Sequence, residues 1–305
     1  MFKRMSEDLS LNTSFDCVYG QVDQISPLIR RIVAYNPGPF TFKGTGTYIL
    51  GVGEVAIIDP GPSIQKHVDS ILEGLKGEKI THQLITHTHV DHSPASALIK
   101  DLTGAPTYAF GPHGLGLLND KEKVEEGGDF EFIPDNLVSD GEILEGNGWT
   151  VECVHTPGHT SNHICYFLMQ ENALFSGDHV MGWSTTVISH PDGDMGAYLD
   201  SLEKLCERKQ DNIYYPTHGA PISKPRPFVR GLIKHRKVRE RQIIKLLENN
   251  PRVISEIIPM MYKDLDLRLV SAAKRSVFSH IVDLYQRGVV SSEGELNIES
   301  TFYLN

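Results

Sequence analysis

The residues most able to do chemistry fall in one short stretch. Thr86-His87-Thr88-His89-Val90-Asp91-His92 places three imidazoles and a carboxylate directly after the apolar run 82–86. Neutral imidazole nitrogens and carboxylate oxygens are suitable zinc donors, and a catalytic zinc site keeps one position open for water. In an extended segment, side chains two apart point the same way, so His87 and His89 can share one ion. The turn that follows brings Asp91 and His92 toward a neighbouring ion. A single histidine here would read as a strand cap or a surface residue. Three histidines and an aspartate in six residues do not, and metal-assisted hydrolysis is the chemistry to expect.

Three more donors stand at the ends of strand-like runs, each beside a glycine. His159 follows Gly158, Asp178 follows Gly177, and His218 precedes Gly219. Glycine permits the tight backbone that aims a side chain inward. His155 and His163 flank His159 and are expected to orient donors by hydrogen bonds or to pack beside them. His179, next to Asp178, should face away from it. His67, His82, His113, His235 and His280 lack such context and read as structural or solvated. His190 lies in a loop that could reach the site and protonate a leaving group. Cys153 and Cys165 sit in apolar strands and read as core, not as nucleophiles.

The elements that must position these donors alternate along the chain. Residues 47–61 read as two short strands ending at Pro60-Gly61, and 64–76 as a helix stopped by Gly77. A strand over 82–86 leads to a helix over 94–102, with Pro94 in its first turn and Gly104 at its end. Three strand-like runs follow at 150–158, 163–169 and 172–178, then an amphipathic helix at 195–209 and a strand and turn at 212–219. This order predicts a layered α/β sandwich, a fold that gathers its loops at one edge. Near residue 224 the pattern turns helical (227–249, 253–262, 267–287) and closes with two β-like runs around Glu293-Gly294. The expected division is a catalytic domain over 1–223 and a C-terminal helical, winged-helix-like domain over 224–305.

The ordered set H-x-H-x-D-H at 87–92, G-H-T at 158–160, S-G-D at 176–178 and T-H-G at 217–219 resembles the metallo-β-lactamase superfamily. Ile57-Ile58-Asp59-Pro60-Gly61 is similar to that family's first motif, whose aspartate braces the metal loop. The resemblance implies an αββα sandwich with its site at one edge of the two sheets. It implies one ion on His87, His89 and His159, a second on Asp91, His92 and His218, and Asp178 bridging both. Two zinc ions are expected, with manganese or iron possible in the same donors. Two ions about 3.5–4 Å apart can hold a bridging water and lower its pKa toward 7. The resulting hydroxide would be the nucleophile, and Asp91 could accept its proton. A carboxylate at 178, where the commonest zinc β-lactamases carry cysteine, and a histidine at 92 disfavour antibiotic hydrolysis. They also disfavour a redox di-iron flavoprotein. Hydrolysis of thioesters, phosphodiesters or lactones remains.

Composition sets the outer bounds. The chain has 305 residues, 40% of them hydrophobic and 22% charged, which is ordinary globular composition. A net charge of −10 excludes a uniformly basic nucleic-acid coat, but not a local patch. Cys17, Cys153, Cys165 and Cys206 form no C-x-x-C pair, which fits a reducing compartment, and a cytoplasmic location is expected. No apolar run is long enough to span a membrane. The opening residues lack the apolar core of a secretory signal, and Glu7 and Asp8 interrupt any basic targeting segment.

Lysines and arginines cluster over 224–245, opposed only by Glu240. On a helix, Arg230, Lys234, Lys237, Arg241 and Lys245 fall on one stripe. Such a stripe is either a solvated face or a guide for an anionic substrate. The run 176–205, the segment His235-Arg236-Lys237-Val238-Arg239-Glu240-Arg241 and the winged-helix-like end resemble the β-lactamase-like protein 2 family, which includes an endoribonuclease acting on single-stranded RNA. That resemblance implies a single-stranded RNA substrate. From their own positions Trp183 and Thr185, just past Asp178, are candidates to line the cleft, with a core or gate role the alternative for Trp183, and Arg230 and Lys234 of the stripe are candidate substrate contacts. A glyoxalase II-like or coenzyme A thioester hydrolase is the alternative. A nucleic-acid-binding protein with a purely structural metal site is the alternative of another class. The complete donor set favours an enzyme.

Overall fold

The computed structural model describes residues 9–116, 127–248, 250–263 and 265–305. Two sheets carry the N-terminal part. The first runs in sequence order: β1 (Asp23–Gln24), β2 (Ile29–Val33), β3 (Gly46–Leu50), β4 (Glu54–Ile58), β5 (Lys79–Leu84), β6 (Thr107–Ala109) and β7 (Asn136–Leu137). Its pairs are antiparallel as far as β4 and parallel from β4 to β7. The second contains β8 (Ile143–Gly146), β9 (Trp149–His155), β10 (Ile164–Leu168), β11 (Ala173–Gly177) and β12 (Ile213–Pro216), in the reverse order across the sheet.

The alternation of side chains along each strand builds three apolar layers. Tyr48, Leu50, Ile58 and Leu84 face Trp149, Val151, Ile164, Tyr166 and Phe175 between the sheets. Ile49, Val55 and Ile57 point outward and are covered by Val68 and Ile71 of α1 (Gln65–Gly74) and Ile99 of α2 (Ala95–Thr103). On the far side Cys165, Phe167 and Tyr214 are covered by Tyr198, Leu202 and Leu205 of α3 (Met195–Glu207) and by Val229, Leu232 and Ile233 of α4 (Pro225–Leu247). The order helix, sheet, sheet, helix is the αββα sandwich expected. Strands such as β3 and β10 are buried throughout because both of their faces are covered. Burial pushes the thiols of Cys153 and Cys165 up to about 12, so neither is a thiolate near neutral pH.

The C-terminal core joins Ile243 and Leu247, from the second half of α4, to α5 (Ile254–Met261), α6 (Val270–Gln286) and the hairpin β13 (Val290–Ser292) and β14 (Phe302–Leu304). Helix α4 therefore belongs to two cores, its first half to the sandwich and its second to this module. Among the described residues no helix is long and apolar enough to cross a membrane.

The strand expected at 82–86 runs instead from Lys79 to Leu84. It ends early because the Thr86 amide is claimed by Asp59 Oδ1 at 2.8 Å. The short strands β1, β2, β6, β7 and β8 carry no pattern legible in the sequence.

Candidate metal centre

The seven donors lie in four loops at one edge of the sandwich. The loop between β5 and α2 carries His87, His89, Asp91 and His92. The β9–β10 turn carries His159, and the ends of β11 and β12 deliver Asp178 and His218. Two glycines make the approach possible. A Cβ on Gly177, at φ 50°, would come within 2.5 Å of His163 Nε2, and one on Gly158, at φ 138°, within 2.3 Å of the Tyr198 backbone.

The donor atoms converge. His89 Nδ1 lies 3.0 Å from His87 Nε2 and 3.1 Å from His159 Nε2. Asp91 Oδ2 lies 3.4 Å from His92 Nε2 and 3.1 Å from His218 Nε2. Asp178 reaches both groups, with Oδ1 3.7 Å from His92 Nε2 and 3.5 Å from His218 Nε2, and Oδ2 3.9 Å from His159 Nε2. Ligand atoms within 4.8 Å of one another define three overlapping triads: His87, His89 and His159; His87, His92 and Asp178; Asp91, His92 and His218.

Hydrogen bonds fix which nitrogen of each ring faces inward. His92 Nδ1 donates to Asp59 Oδ2 at 2.9 Å, and His218 Nδ1 to the Gly44 carbonyl at 3.0 Å. His159 Nδ1 donates to the Val187 carbonyl at 2.7 Å. Thr86 Oγ1 gives its proton to Asp59 Oδ2, so His87 Nδ1 donates to Thr86 Oγ1 at 3.0 Å. In the neutral form of all four rings Nε2 is the lone-pair atom, turned toward the other donors. His92 Nε2, His218 Nε2 and Asp178 Oδ1 are buried and have no hydrogen-bond partner among the described residues. Buried polar atoms are rarely left in that state, and these three point at one another, so the donor set fits a pair of divalent ions.

Without an ion, the charges of the cluster are balanced among its own side chains. Burial and its imidazole neighbours hold His87 well below the usual histidine range. Burial would lower His92 as well, yet Asp91, Asp178 and Asp59 hold it well above that range. His218 is raised in the same way by Asp178 and Asp91, against its burial. Asp178 is lowered to about 2: burial opposes the shift, but the His218 and His92 charges outweigh it. The edge therefore concentrates three carboxylates, Asp59, Asp91 and Asp178, around imidazoles that balance their charge.

Asp59 lies among the candidate donor loops. Its φ is 50°, and its carboxylate accepts from the Thr86 amide, Thr86 Oγ1, His92 Nδ1 and Thr217 Oγ1, all within 2.9 Å. It thus ties together the loops that carry His87 to His92 and His218. The His163 ring stacks on His87 at 5.2 Å, with Nδ1 2.9 Å from Thr156 Oγ1. His155 touches none of the seven. It stacks on Phe110 at 3.5 Å, and its Nε2 donates to the Ser161 carbonyl. His190 is exposed and lies edge-on to Phe278 of α6.

Trp183 stacks on Phe42 at 4.8 Å, beside Gly219 and hence next to His218, while Thr185 is half-buried in the same loop. Arg230 and Lys234 lie on the exposed face of α4. Part of that stripe packs along α3: Arg230 lies beside Cys206, and Lys237 pairs with Glu203 at 3.1 Å. Nothing in the sequence marked two further braces. His113 Nδ1 lies 3.0 Å from Thr88 Oγ1, which also accepts from Asn162 Nδ2 at 2.8 Å. Phe42 is likewise unmarked, being far from every motif.

Residues 42–218, more than half of the chain, match the metallo-beta-lactamase superfamily, and residues 254–298 match the beta-lactamase associated winged helix domain. A beta-lactamase-like protein 2 homolog from Caenorhabditis elegans is 33% identical over 280 residues, covering 89% of this chain and 88% of its own. An atrochrysone carboxyl ACP thioesterase from Cryptosporiopsis sp. is 32% identical over 264 residues, covering 81% of this chain and 74% of its own. A beta-lactamase domain protein from Burkholderia ambifaria superposes with a TM-score of 0.79 at 20% identity, covering 95% of this chain and 96% of its own, a likeness of fold. With these matches over the sandwich and its C-terminal module, the chain belongs to the metallo-β-lactamase superfamily.

Proposed function

We propose that this hydrolase is dinuclear and that its substrate is a thioester. His87, His89 and His159 would hold one ion, Asp91, His92 and His218 the other, and Asp178 both. Zinc is the first choice, and manganese or iron suit the same donors. The observation that carries the dinuclear reading is the convergence of His92 Nε2, His218 Nε2 and Asp178 Oδ1, buried without other partners among the described residues. When bound, two such ions supply an activated water and Lewis-acid polarisation of the scissile carbonyl.

The chain's own residues divide the remaining work. The Asp91 side chain is 21% exposed where those of His92 and His218 are fully buried, so its carboxylate is the one open to receive a proton from the attacking water. Its openness, with the half-exposed His89, also argues against a closed structural site. Trp183 and Phe42 form an apolar wall beside His218 suited to the acyl part of a substrate. Relatives named as acyl-carrier thioesterases support the thioester over other esters.

Single-stranded RNA is the second reading, favoured by the exposed Arg230, Lys234, Lys237, Arg241 and Lys245. Metal-replete protein assayed with a coenzyme A thioester, a glutathione thioester and a short single-stranded RNA separates the two. Thioester hydrolysis is expected. Cleavage of RNA with neither thioester touched would overturn the proposal. In that case Arg230→Glu with Lys234→Glu should weaken cleavage strongly at low salt and less at high salt, because added ions already screen the attraction.

A further inference from the structure

The segment that follows Asp178 has no helix or strand from 181 to 194. Its backbone carbonyls must find partners elsewhere. Three in succession do so on different elements. The Thr186 carbonyl accepts from Arg236 Nη2 of α4. The Val187 carbonyl accepts from His159 Nδ1 at 2.7 Å. The Ile188 carbonyl lies 2.8 Å from Ser279 Oγ of α6, the shorter of two contacts for that hydroxyl proton, the other being the Arg275 carbonyl at 3.0 Å. Thr186 Oγ1 closes the loop back on the site by donating to the Asp178 carbonyl at 2.7 Å.

We propose that Arg236 and Ser279 are positioning residues for the metal centre, holding Thr186 and Ile188 so that the carbonyl between them fixes the ring of His159. The inference rests on the dinuclear reading above. Arg236 is 2% exposed, and it lies among the apolar α4 residues Leu232, Ile233 and Ile243 that fill the cores. A buried guanidinium is costly, and this one meets the Thr186 carbonyl through Nη2 and Ser276 Oγ at 3.4 Å through Nη1 while Nε has no partner among the described residues, so a residue serving only to pack there would be apolar. Its guanidinium also sits 5.3 Å from the Tyr198 ring centroid, and Tyr198 packs against Gly158 while its hydroxyl donates to the His179 carbonyl at 3.1 Å. The backbone neighbours of both His159 and Asp178 thus touch one unit built from α3 and α4. Ser279, 2% exposed, extends the clamp to α6. The C-terminal helices thereby set the tautomer and direction of a donor that lies outside their own module.

The test uses metal-stripped full-length protein titrated with cobalt(II) against a competing chelator, with the visible spectrum of the cobalt form as a second readout. Arg236→Met and Ser279→Ala are each expected to weaken binding by about 10-fold, the scale seen when a ligand's hydrogen-bond partner is lost. Both should alter the cobalt spectrum, and Arg236→Lys, which restores a donor, should recover most of the affinity. Ile257→Ala, a cavity in the buried face of α5, controls for loss of the module's stability: it should lower the thermal midpoint and leave the affinity unchanged. Wild-type affinity and spectrum in Arg236→Met and Ser279→Ala would overturn the inference, as would equal weakening by Ile257→Ala. Two tight cobalt ions in every variant would sink this inference alone. No cobalt bound by the wild type would sink the dinuclear reading and this one with it.

Discussion

His92 and His218 at the sandwich edge, and His235 and His280 between α4 and α6, are all buried. Their surroundings differ. At the edge one nitrogen of each ring donates to a fixed acceptor, Asp59 or the Gly44 carbonyl, and the other faces a carboxylate. In the C-terminal region neither nitrogen of His235 or His280 has a hydrogen-bond partner among the described residues, and the charges nearest them are the cations Arg236 and Arg239. Burial and those cations push His235 down to about 3 and His280 well below the histidine range. Carboxylates do the opposite for His92 and His218. Burial therefore does not make an imidazole a metal donor. An anchored nitrogen on one side and converging carboxylates on the other are what suit a ring to that role.

The comparison breaks most sharply at Asp178. Asp178→Ala removes the carboxylate that reaches both groups, so bound metal should fall below two per chain and hydrolysis should be lost. Retention of two ions, measured by elemental analysis, would show that the bridge is not needed. Asp91→Ala should leave a folded protein with hydrolysis reduced by about 10²–10⁴-fold, the contribution of a positioned proton acceptor. Full turnover by that variant would rule out the role given to Asp91.

Asp59→Ala acts one step further out. It leaves Thr86, His92 and Thr217 without their shared acceptor, so metal affinity should drop about 10–100-fold and the stability of the metal-free protein should fall with it. Equal metal affinity in wild type and variant, by chelator competition, would remove the brace from the account.

The smallest effect belongs to the other region. His235→Leu removes two unpartnered nitrogens, so metal content and activity should not change and thermal stability should hold or rise. The pH dependence carries a definite sign. The unfolded chain protonates this histidine near pH 6.5, while the folded protein resists protonation down to about 3. Its contribution to stability is therefore full above about pH 6.5 and lost as the pH falls from there toward 3. Denaturant melts of the metal-free protein should show a shallower acid loss in His235→Leu than in wild type. Identical slopes would mean that His235 is protonated in the fold.

The candidate donors were legible because their chemistry is local. His87, His89, Asp91 and His92 fall within six residues, and His159, Asp178 and His218 each stand beside a glycine at a strand end. The helices were legible from their apolar spacing, and the observed α1 to α6 lie within a few residues of the expected spans. The braces were less so. Asp59 could be placed only through its motif, and His113 and Asn162 not at all, because a hydrogen bond between loops leaves no periodic trace. The same holds for Arg236. In the sequence it is one of nine cations over 224–245, and only the fold separates it from the exposed stripe by turning it inward to the Thr186 carbonyl.

The count of metal ions in the wild-type protein tests the central claim most directly. Protein stripped with a chelator, reloaded with zinc and freed of excess should carry two equivalents per chain by elemental analysis, and zinc anomalous scattering from crystals should show two peaks flanking Asp178, one beside His159 and one beside His218. A stable value of one equivalent, with a single peak and His218 unliganded, would contradict it.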